Sequence, residues 1–165
     1  MFAPDFFYDS VYDVNYEMLR ELGIRGLIFD IDNTLAAFDE ALPPEETVQL
    51  IARLQTMGFS LCLLTNNSEG RLRQFNQDLG LPGFAGALKP LPFGVRKAAG
   101  AMGTSLEETA IIGDQLFSDV WAGRNCGIRA IMVSPISQRD FWFVKIKRLI
   151  EKRMLRGFFA NKCRE

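Results

Sequence analysis

Two aspartates stand two residues apart at the end of an apolar run. The run, residues 27–29, follows Gly26 and leads directly into Asp30 and Asp32, which predicts a buried strand that ends in a loop. An ionised carboxylate is costly to bury unless a charge or a metal pairs with it. Because residues i and i+2 of a strand share a face, Asp30 and Asp32 could enter one crevice. A plain strand followed by an Asp/Asn turn is the alternative that these residues alone leave open.

Three further apolar runs also end in a chemically useful residue. The second ends in Thr65, the third in Lys89, and the fourth stops just before Asp114. Helical spacings of apolar residues separate these runs, and the alternation predicts an α/β fold with a parallel sheet in a three-layer α/β/α arrangement. Ligands bind at the carboxyl ends of the strands in such sheets. We therefore expect Asp30, Thr65, Lys89 and Asp114 to form one site.

Local signals set provisional boundaries for the elements between these residues. The third strand is expected over residues 84–88, and a helix over residues 68–79. Residues 105–108 have the sequence of a helix capping box. A further helix is expected to carry Asp119 in its first turn and to stop at Gly127.

The side chains gathered by this fold suit phosphoryl transfer. Three carboxylates without a soft ligand, on Asp30, Asp32 and Asp114, predict a hard-cation site, for which Mg²⁺ is the natural occupant. Lys89 supplies a point charge for a phosphoryl oxygen, and Thr65 adds a hydroxyl donor. The sequence contains no histidine, which excludes Ser-His-Asp and Cys-His mechanisms and a histidine-ligated metal. A carboxylate would then be the nucleophile, and an aspartyl-phosphate is a known class of intermediate.

Length and charge indicate one domain with a basic end. The 165 residues suit a single domain, and a hydrophobic content of 48% is ample for one core. The net charge is only −1, yet residues 1–46 carry 11 acidic and two basic groups, whereas residues 139–165 carry nine basic and three acidic groups. The three cysteines form no metal or redox pattern. No apolar run reaches the length of a membrane span, and the acidic N-terminal segment is unlike a signal peptide.

Four short motifs, in order, resemble those of the haloacid dehalogenase-like (HAD) phosphohydrolases. They are D-x-D-N-T at residues 30–34, T-N after an apolar strand at residues 65–66, K-P at residues 89–90, and G-D-x-x-x-x-D at residues 113–119. The resemblance implies a Rossmann-like core. The family inserts its cap domains between these motifs, and the connections here are short, so we expect a capless or minimally capped, open site.

The resemblance also implies catalytic roles for the matching residues. Asp30 would be the nucleophile, and Asp32 would protonate the leaving oxygen and then activate water. Thr65 and the backbone at Asn66 would hold phosphoryl oxygens. Lys89 would bind the phosphoryl group and stabilise the charge that develops on it.

The same resemblance implies a set of metal ligands. Asp30, the carbonyl of Asp32, and Asp114 would hold Mg²⁺, and Asp119 would act behind them or on a metal-bound water. A carboxylic acid at the position of Asp32 is typical of the family's phosphatases rather than of its ATPases or dehalogenases. The implied activity is therefore Mg²⁺-dependent hydrolysis of a phosphomonoester through an aspartyl-phosphate.

The wider sequence is similar to the YqeG-type subgroup, whose mitochondrial and plastid relatives are phosphatidylglycerophosphate phosphatases. Segments that carry this similarity include residues 10–13, 65–68, 88–90 and 113–119. The leading expected substrate is thus a phosphorylated glycerolipid headgroup, and a soluble sugar phosphate or nucleotide is the alternative. DNA is not expected as a partner. Two non-enzymatic readings stay open, a phospho-receiver domain and a module that associates with RNA or the ribosome.

The two ends of the chain carry their own predictions. Residues 1–23 are expected to form an aromatic, acidic arm packed on or near a core of residues 24–136. Residues 137–165 are expected to form a basic amphipathic helix that packs on its own core or contacts an anionic membrane, RNA or a protein. The expected location is the cytoplasm, including a peripheral position on the cytoplasmic face of the membrane. The residues predicted to make the tail contact are Trp142, Lys145, Arg148, Lys152 and Arg156.

Overall fold

A six-stranded parallel sheet organises the protein. The computed structural model describes residues 3–137, and its strand order is β1-β6-β5-β2-β3-β4. All five neighbouring pairs are parallel, which confirms the predicted α/β class. The strands are β1 (Phe6–Tyr8), β2 (Gly26–Phe29), β3 (Ser60–Leu64), β4 (Gly83–Phe84), β5 (Thr109–Gly113) and β6 (Arg129–Val133).

Strand β2 lies at the centre, between β3 and β5. In the ladder Ile28 is opposite Cys62 on one side and Ile111 on the other, and every residue of β2 is buried. Leu27 and Phe29 point into one hydrophobic cluster, whereas Ile28 points into the other. A strand covered on both faces needs apolar side chains at every position. This explains the continuous apolar run before Asp30.

Helices cover the two faces of the sheet. They are α1 (Tyr16–Glu21), α2 (Glu45–Thr56), α3 (Glu69–Asn76), α4 (Pro92–Met102) and α5 (Trp121–Cys126), with a 3₁₀ turn at Val11–Asp13. The Ser68 hydroxyl accepts a hydrogen bond from the backbone of Arg71 at 3.2 Å and caps α3. Gly103 and Gly127 take left-handed conformations and end α4 and α5. Within residues 3–137, no helix has the length and apolar content needed to cross a bilayer.

The expected extent of the third strand is wrong. β4 is only Gly83–Phe84, because the chain turns away through Gly86 and Leu88, whose φ angles are +55° and +53°. Lys89 therefore lies in a loop between β4 and α4 rather than at the end of a strand. Helix α3 is also shorter than predicted and ends at Asn76.

The capping box is present, and the turn that carries Asp119 differs from the prediction. The Ser105 and Glu108 side chains do exchange the hydrogen bonds of a capping box, at 3.1 and 3.3 Å to each other's backbone N–H. The turn leads into β5, which begins at Thr109. Asp119 lies in a π-helical turn, Leu116–Val120, that precedes α5.

The predicted N-terminal arm contributes to the sheet itself. Strand β1 is its edge strand and pairs with β6. Arg124 of α5 fixes the chain before β1 by an ion pair with Asp5 at 3.1 Å and a hydrogen bond to the carbonyl of Ala3 at 2.6 Å. The division into arm, core and tail stays a prediction, and the predicted tail from residue 138 onwards lies outside the described residues.

Candidate active site

Asp30 is the first residue after β2. Its backbone N–H continues the ladder to the Ile112 carbonyl of β5 at 3.0 Å, so the position of its carboxylate is fixed by the centre of the sheet. The residue is 5% exposed. Its Oδ1 accepts a hydrogen bond from the Lys89 ammonium at 2.8 Å.

The Lys89 ammonium is buried and saturated with acceptors. Its Nζ lies 2.8 Å from Asp30 Oδ1, 2.6 Å from Asp119 Oδ1 and 2.8 Å from the Leu64 carbonyl oxygen. These three acceptors use all three ammonium protons. The loop that carries Lys89 is held by Asn66, whose amide accepts from Lys89 N at 2.8 Å and donates to Lys89 O at 3.1 Å. Lys89 thus reaches the site although no strand delivers it there.

Three buried carboxylates converge on the same point. One oxygen from each of Asp30, Asp114 and Asp119 lies within 4.8 Å of the others. The Thr34 hydroxyl donates to Asp114 Oδ1 at 3.4 Å, and the backbone N–H of Gln115 donates to Asp119 Oδ2 at 3.1 Å. This close approach also requires a glycine, since a Cβ on Gly113 would stand 2.2 Å from Asp119 Cγ.

The electrostatics of this cluster leave negative charge in excess. Three carboxylates face one ammonium, so full ionisation would leave the group with a charge of −2 in an enclosed space. Burial raises the pKa of Asp30 to about 7, against the opposing effect of Lys89 and with a further upward contribution from Asp119. Burial alone would lower the pKa of Lys89, but the charges of Asp119 and Asp30 outweigh it and raise that pKa above its usual range. Lys89 therefore stays an ammonium.

A hard divalent cation fits this donor set. Carboxylate oxygens are the ligands that such cations prefer, and no sulfur or imidazole belongs to the group. The excess negative charge of the described cluster is of the size that one divalent ion balances. Asp119 belongs to this cluster together with Asp30 and Asp114. It was expected to act behind the metal ligands rather than among them.

The Asp32 carboxylate has other partners. Its Oδ2 accepts from Asn67 Nδ2 at 3.0 Å, and its Oδ1 accepts from Arg71 Nε at 3.0 Å. The Asp32 side chain is 19% exposed, so solvent reaches it more readily than it reaches Asp30. Asp30 and Asp32 leave the same strand end, but their carboxylates are held by different groups.

Arg71 is a half-buried arginine that no motif in the sequence singles out. Its side chain is 10% exposed, its Nη1 donates to the Ala41 carbonyl at 2.9 Å, and its guanidinium lies 5.4 Å from the centre of the Phe75 ring. An arginine on a helix usually reads as a solvent-exposed charge. Arg71 contacts Asp32, which lies 39 positions away in the sequence. The spacing of residues along the helix cannot predict such a contact.

Thr65 and Asn66 follow β3 as predicted. Thr65 is 1% exposed, and its hydroxyl oxygen accepts from the backbone N–H of Asn67 at 3.0 Å. The Asn66 side chain also donates to the Ser118 hydroxyl at 3.3 Å. The structure therefore brings Asp30, Asp114 and Asp119 together with Lys89, and it ties Asn66 to the Lys89 loop. The predicted contacts of the tail lie outside the described residues.

The chain is similar to known hydrolases over most of its length. The family model of the haloacid dehalogenase-like hydrolases matches residues 15–127. The Bacillus subtilis (strain 168) protein named "Probable phosphatase YqeG" is 30% identical over 154 residues, 93% of this chain and 90% of that protein. The "Phosphatidylglycerophosphate phosphatase 1, chloroplastic/mitochondrial" of Arabidopsis thaliana is 25% identical over 171 residues, 89% of this chain and 47% of that protein. A HAD phosphatase from Thermococcus onnurineus has the same fold, with a TM-score of 0.58 at 14% identity over 72% of this chain and 90% of that chain.

Proposed function

The chain belongs to the haloacid dehalogenase-like hydrolases and is a phosphatase of that type. We propose that it hydrolyses the phosphomonoester of a glycerolipid headgroup with the help of Mg²⁺. Phosphatidylglycerophosphate is the first candidate substrate. The observation that carries this choice is the similarity to the Arabidopsis phosphatidylglycerophosphate phosphatase over 89% of the chain. The short connections from β2 to α2 and from β3 to α3 agree with it, because they contain no inserted domain that could cap the site.

Asp30 is the nucleophile of the proposed reaction. Its carboxylate attacks phosphorus, a P–O bond forms on Asp30, and the bond to the leaving oxygen breaks. The sheet holds the Asp30 backbone, and Lys89 holds one carboxylate oxygen. The attacking atom is therefore positioned before the substrate arrives, which lowers the entropic part of the barrier.

Lys89 stabilises the charge on the phosphoryl oxygens during transfer. Its ammonium is fixed by Asp119 and the Leu64 carbonyl, so little reorganisation is needed as charge develops. The Thr65 hydroxyl and the backbone at Asn66 hold other phosphoryl oxygens. The Asn66 side chain accepts from the backbone N–H of Lys89 and donates to its carbonyl, which keeps that loop in place.

Asp32 is the general acid and then the general base. It gives a proton to the leaving oxygen in the first step and takes one from the water that cleaves the aspartyl-phosphate in the second. Asn67 and Arg71 hold its two oxygens. We assign to Arg71 a positioning role, since its guanidinium holds one oxygen of the Asp32 carboxylate in place.

Asp30, the carbonyl of Asp32, and Asp114 would hold Mg²⁺, with Asp119 beside them. The ion would neutralise the carboxylates and the negative charge of the phosphoryl group. Chelation should therefore abolish hydrolysis, and Mg²⁺ should restore it. Ca²⁺ should inhibit, because its longer and less regular coordination disturbs in-line geometry. Asp114→Ala should raise the Mg²⁺ concentration needed for half-maximal rate by at least ~10-fold, and full activity in excess chelator would contradict the metal assignment.

The positioning role of Arg71 has a distinctive kinetic signature. Arg71→Ala should reduce hydrolysis of an alkyl phosphate ~10-fold or more, but hydrolysis of p-nitrophenyl phosphate less, because nitrophenolate leaves with little protonation. Arg73→Ala on the same helix is the matched control, since Arg73 is exposed. Equal loss on both substrates in the first chemical step would mean that Arg71 supports the fold rather than Asp32.

The substrate itself is tested by a phosphatase screen that includes phosphatidylglycerophosphate in mixed micelles. The lipid should give a higher kcat/KM than sugar phosphates or nucleotides. A better soluble substrate would favour the alternative, and phosphorylation of the protein without turnover would favour a phospho-receiver. Membrane contact by the basic tail and a cytoplasmic location stay proposals, and vesicle flotation of a variant with Lys145, Arg148, Lys152 and Arg156 changed to Gln tests the first of them.

A further inference from the structure

Large exposed apolar side chains concentrate at the edge of the sheet that carries the site. Among the described residues, eight such side chains are exposed, and six of them lie in segments that leave the carboxyl ends of β2, β4 and β6. Exposed apolar groups that border a polar site mark an interaction surface more often than isolated ones do. The six are Phe38, Leu42, Leu88, Leu91, Phe93 and Ile136.

Three of the six flank the Lys89 ammonium in sequence. Leu88 is 68% exposed, Leu91 50% and Phe93 80%, and together they are called the apolar rim. Lys89 itself is buried between them. The same loop thus sends its cation inward to Asp30 and its large apolar side chains outward to solvent.

The backbone of this loop is held in place although its side chains are exposed. Asn125 Nδ2 donates to the Pro90 carbonyl at 3.0 Å, Cys126 Sγ donates to the Pro92 carbonyl at 3.5 Å, and Leu91 N donates to the Leu88 carbonyl at 2.9 Å. A pre-ordered loop loses little conformational entropy when it binds. The apolar rim is therefore suited to bind a partner surface, because its backbone is already ordered.

Charge distinguishes the apolar rim from the other exposed groups of this edge. Residues 79–106 contain no Asp or Glu, and two exposed cations, Arg96 and Lys97, follow Phe93 on α4. Phe38 and Leu42 instead share their loop and the start of α2 with four acidic residues, Asp39, Glu40, Glu45 and Glu46. An anionic surface would attract the first region and repel the second.

From this we infer that the apolar rim inserts between the headgroups of an anionic lipid bilayer, with Arg96 and Lys97 on lipid phosphates beside it. This inference rests on the proposed lipid substrate. The contact would orient the carboxyl edge of the sheet towards the membrane, so that a lipid phosphomonoester reaches Asp30 while its acyl chains stay in the bilayer. It uses described residues and does not depend on the tail.

A site-specific fluorescence experiment tests the contact in the full chain. Phe93→Trp and Leu42→Trp are compared after subtraction of the wild-type emission, which contains Trp121 and Trp142. Vesicles of phosphatidylcholine and phosphatidylglycerol should shift the emission of Phe93→Trp to shorter wavelength, and brominated lipid should quench it. Leu42→Trp should do neither. Equal responses of the two variants, or no response of Phe93→Trp, would overturn the inference. An emission shift of Phe93→Trp that depends on protein concentration in the absence of vesicles would also overturn it, because it would show that a second copy of the chain covers the rim.

A double substitution separates this contact from the substrate assignment. Leu91→Ser with Phe93→Ser should lower vesicle partitioning and turnover of vesicle-borne phosphatidylglycerophosphate ~10-fold or more, and Leu42→Ser, at a matched exposure of 49%, should change neither. The fold should tolerate the change, because Leu91 is the N-cap of α4 without a side-chain cap bond and Ser is favoured there. Wild-type turnover in the double variant would contradict membrane contact by the apolar rim but not the proposed lipid substrate. Vesicle binding by a protein that hydrolyses no lipid phosphate would contradict the proposed lipid substrate but not membrane contact by the apolar rim.

Discussion

Replacing Asp30 by Asn should stop catalysis and stabilise the metal-free protein at the same time. Turnover should fall at least ~10³-fold, because the amide keeps the shape of the carboxylate but lacks the charge that attacks phosphorus. Steady-state hydrolysis of p-nitrophenyl phosphate in saturating Mg²⁺ measures this loss. Incubation with substrate should also leave the variant without any phosphoenzyme.

The gain in stability follows from the environment of Asp30. Burial raises the pKa of its carboxyl to about 7 in the folded protein, from an ordinary 3.8. A carboxyl whose pKa is raised by folding destabilises the folded state as pH rises from about 4 to about 7, because the folded state then holds the proton more tightly than the unfolded state. Asn cannot ionise and escapes this penalty. In chelator at pH 7 or above, the Tm of Asp30→Asn should exceed that of wild type by at least ~3 °C.

The pH dependence separates this explanation from a general packing effect. The difference in Tm should shrink as the pH falls from 7 and vanish below about 3.8, where the wild-type carboxyl becomes protonated in both states. Mg²⁺ should raise the Tm of the wild type more than that of the variant. Asp78→Asn, at an exposed position, is the control and should change neither quantity. A pH-independent difference, or a less stable variant, would show that Asp30 is not strained by its surroundings.

The central strands of the sheet and several candidate residues at their carboxyl ends could be predicted from the sequence. Apolar runs such as residues 109–113 can be placed because a strand buried on both faces needs apolar residues throughout. Asp30, Thr65 and Asp114 follow such strands directly, so their convergence is a consequence of parallel topology. These are short-range signals in the sequence combined with one rule of architecture.

Other features depend on contacts that no local signal contains. Lys89 reaches the cluster from a loop, and the two hydrogen bonds of Asn66 that hold this loop join residues 23 positions apart. The early aromatic segment gives no clear alternation, yet Phe6–Tyr8 adds to the sheet as an edge strand, where pairing with β6 rather than burial decides the structure. Arg71 is recognised only when α3 is packed against the Asp32 loop.

The largest loss of stability among single substitutions of this site is expected at Lys89. Lys89→Met keeps the length of the side chain but removes a buried ammonium that contacts Asp30 and Asp119. Removing one partner of a buried ion pair leaves the other charge uncompensated, which costs about 3–5 kcal/mol. In chelator at neutral pH, Tm should fall by roughly 6–20 °C. Turnover should fall ~10²-fold or more, because the charge that stabilises the phosphoryl oxygens is lost.

Three comparisons decide whether charge is the cause. Arg124→Met breaks the Asp5 ion pair, whose side chains are 34% and 20% exposed, and should cost much less, about 1 kcal/mol. Adding Asp119→Asn to Lys89→Met should recover part of the lost Tm, since the double variant has one fewer uncompensated carboxylate. Mg²⁺ should raise the Tm of Lys89→Met more than that of the wild type, because a divalent ion can replace the missing positive charge among Asp30, Asp114 and Asp119. If Lys89→Met kept the wild-type Tm in chelator, the metal-free carboxylates would have to be protonated rather than paired, and the excess negative charge that calls for a divalent ion would not exist.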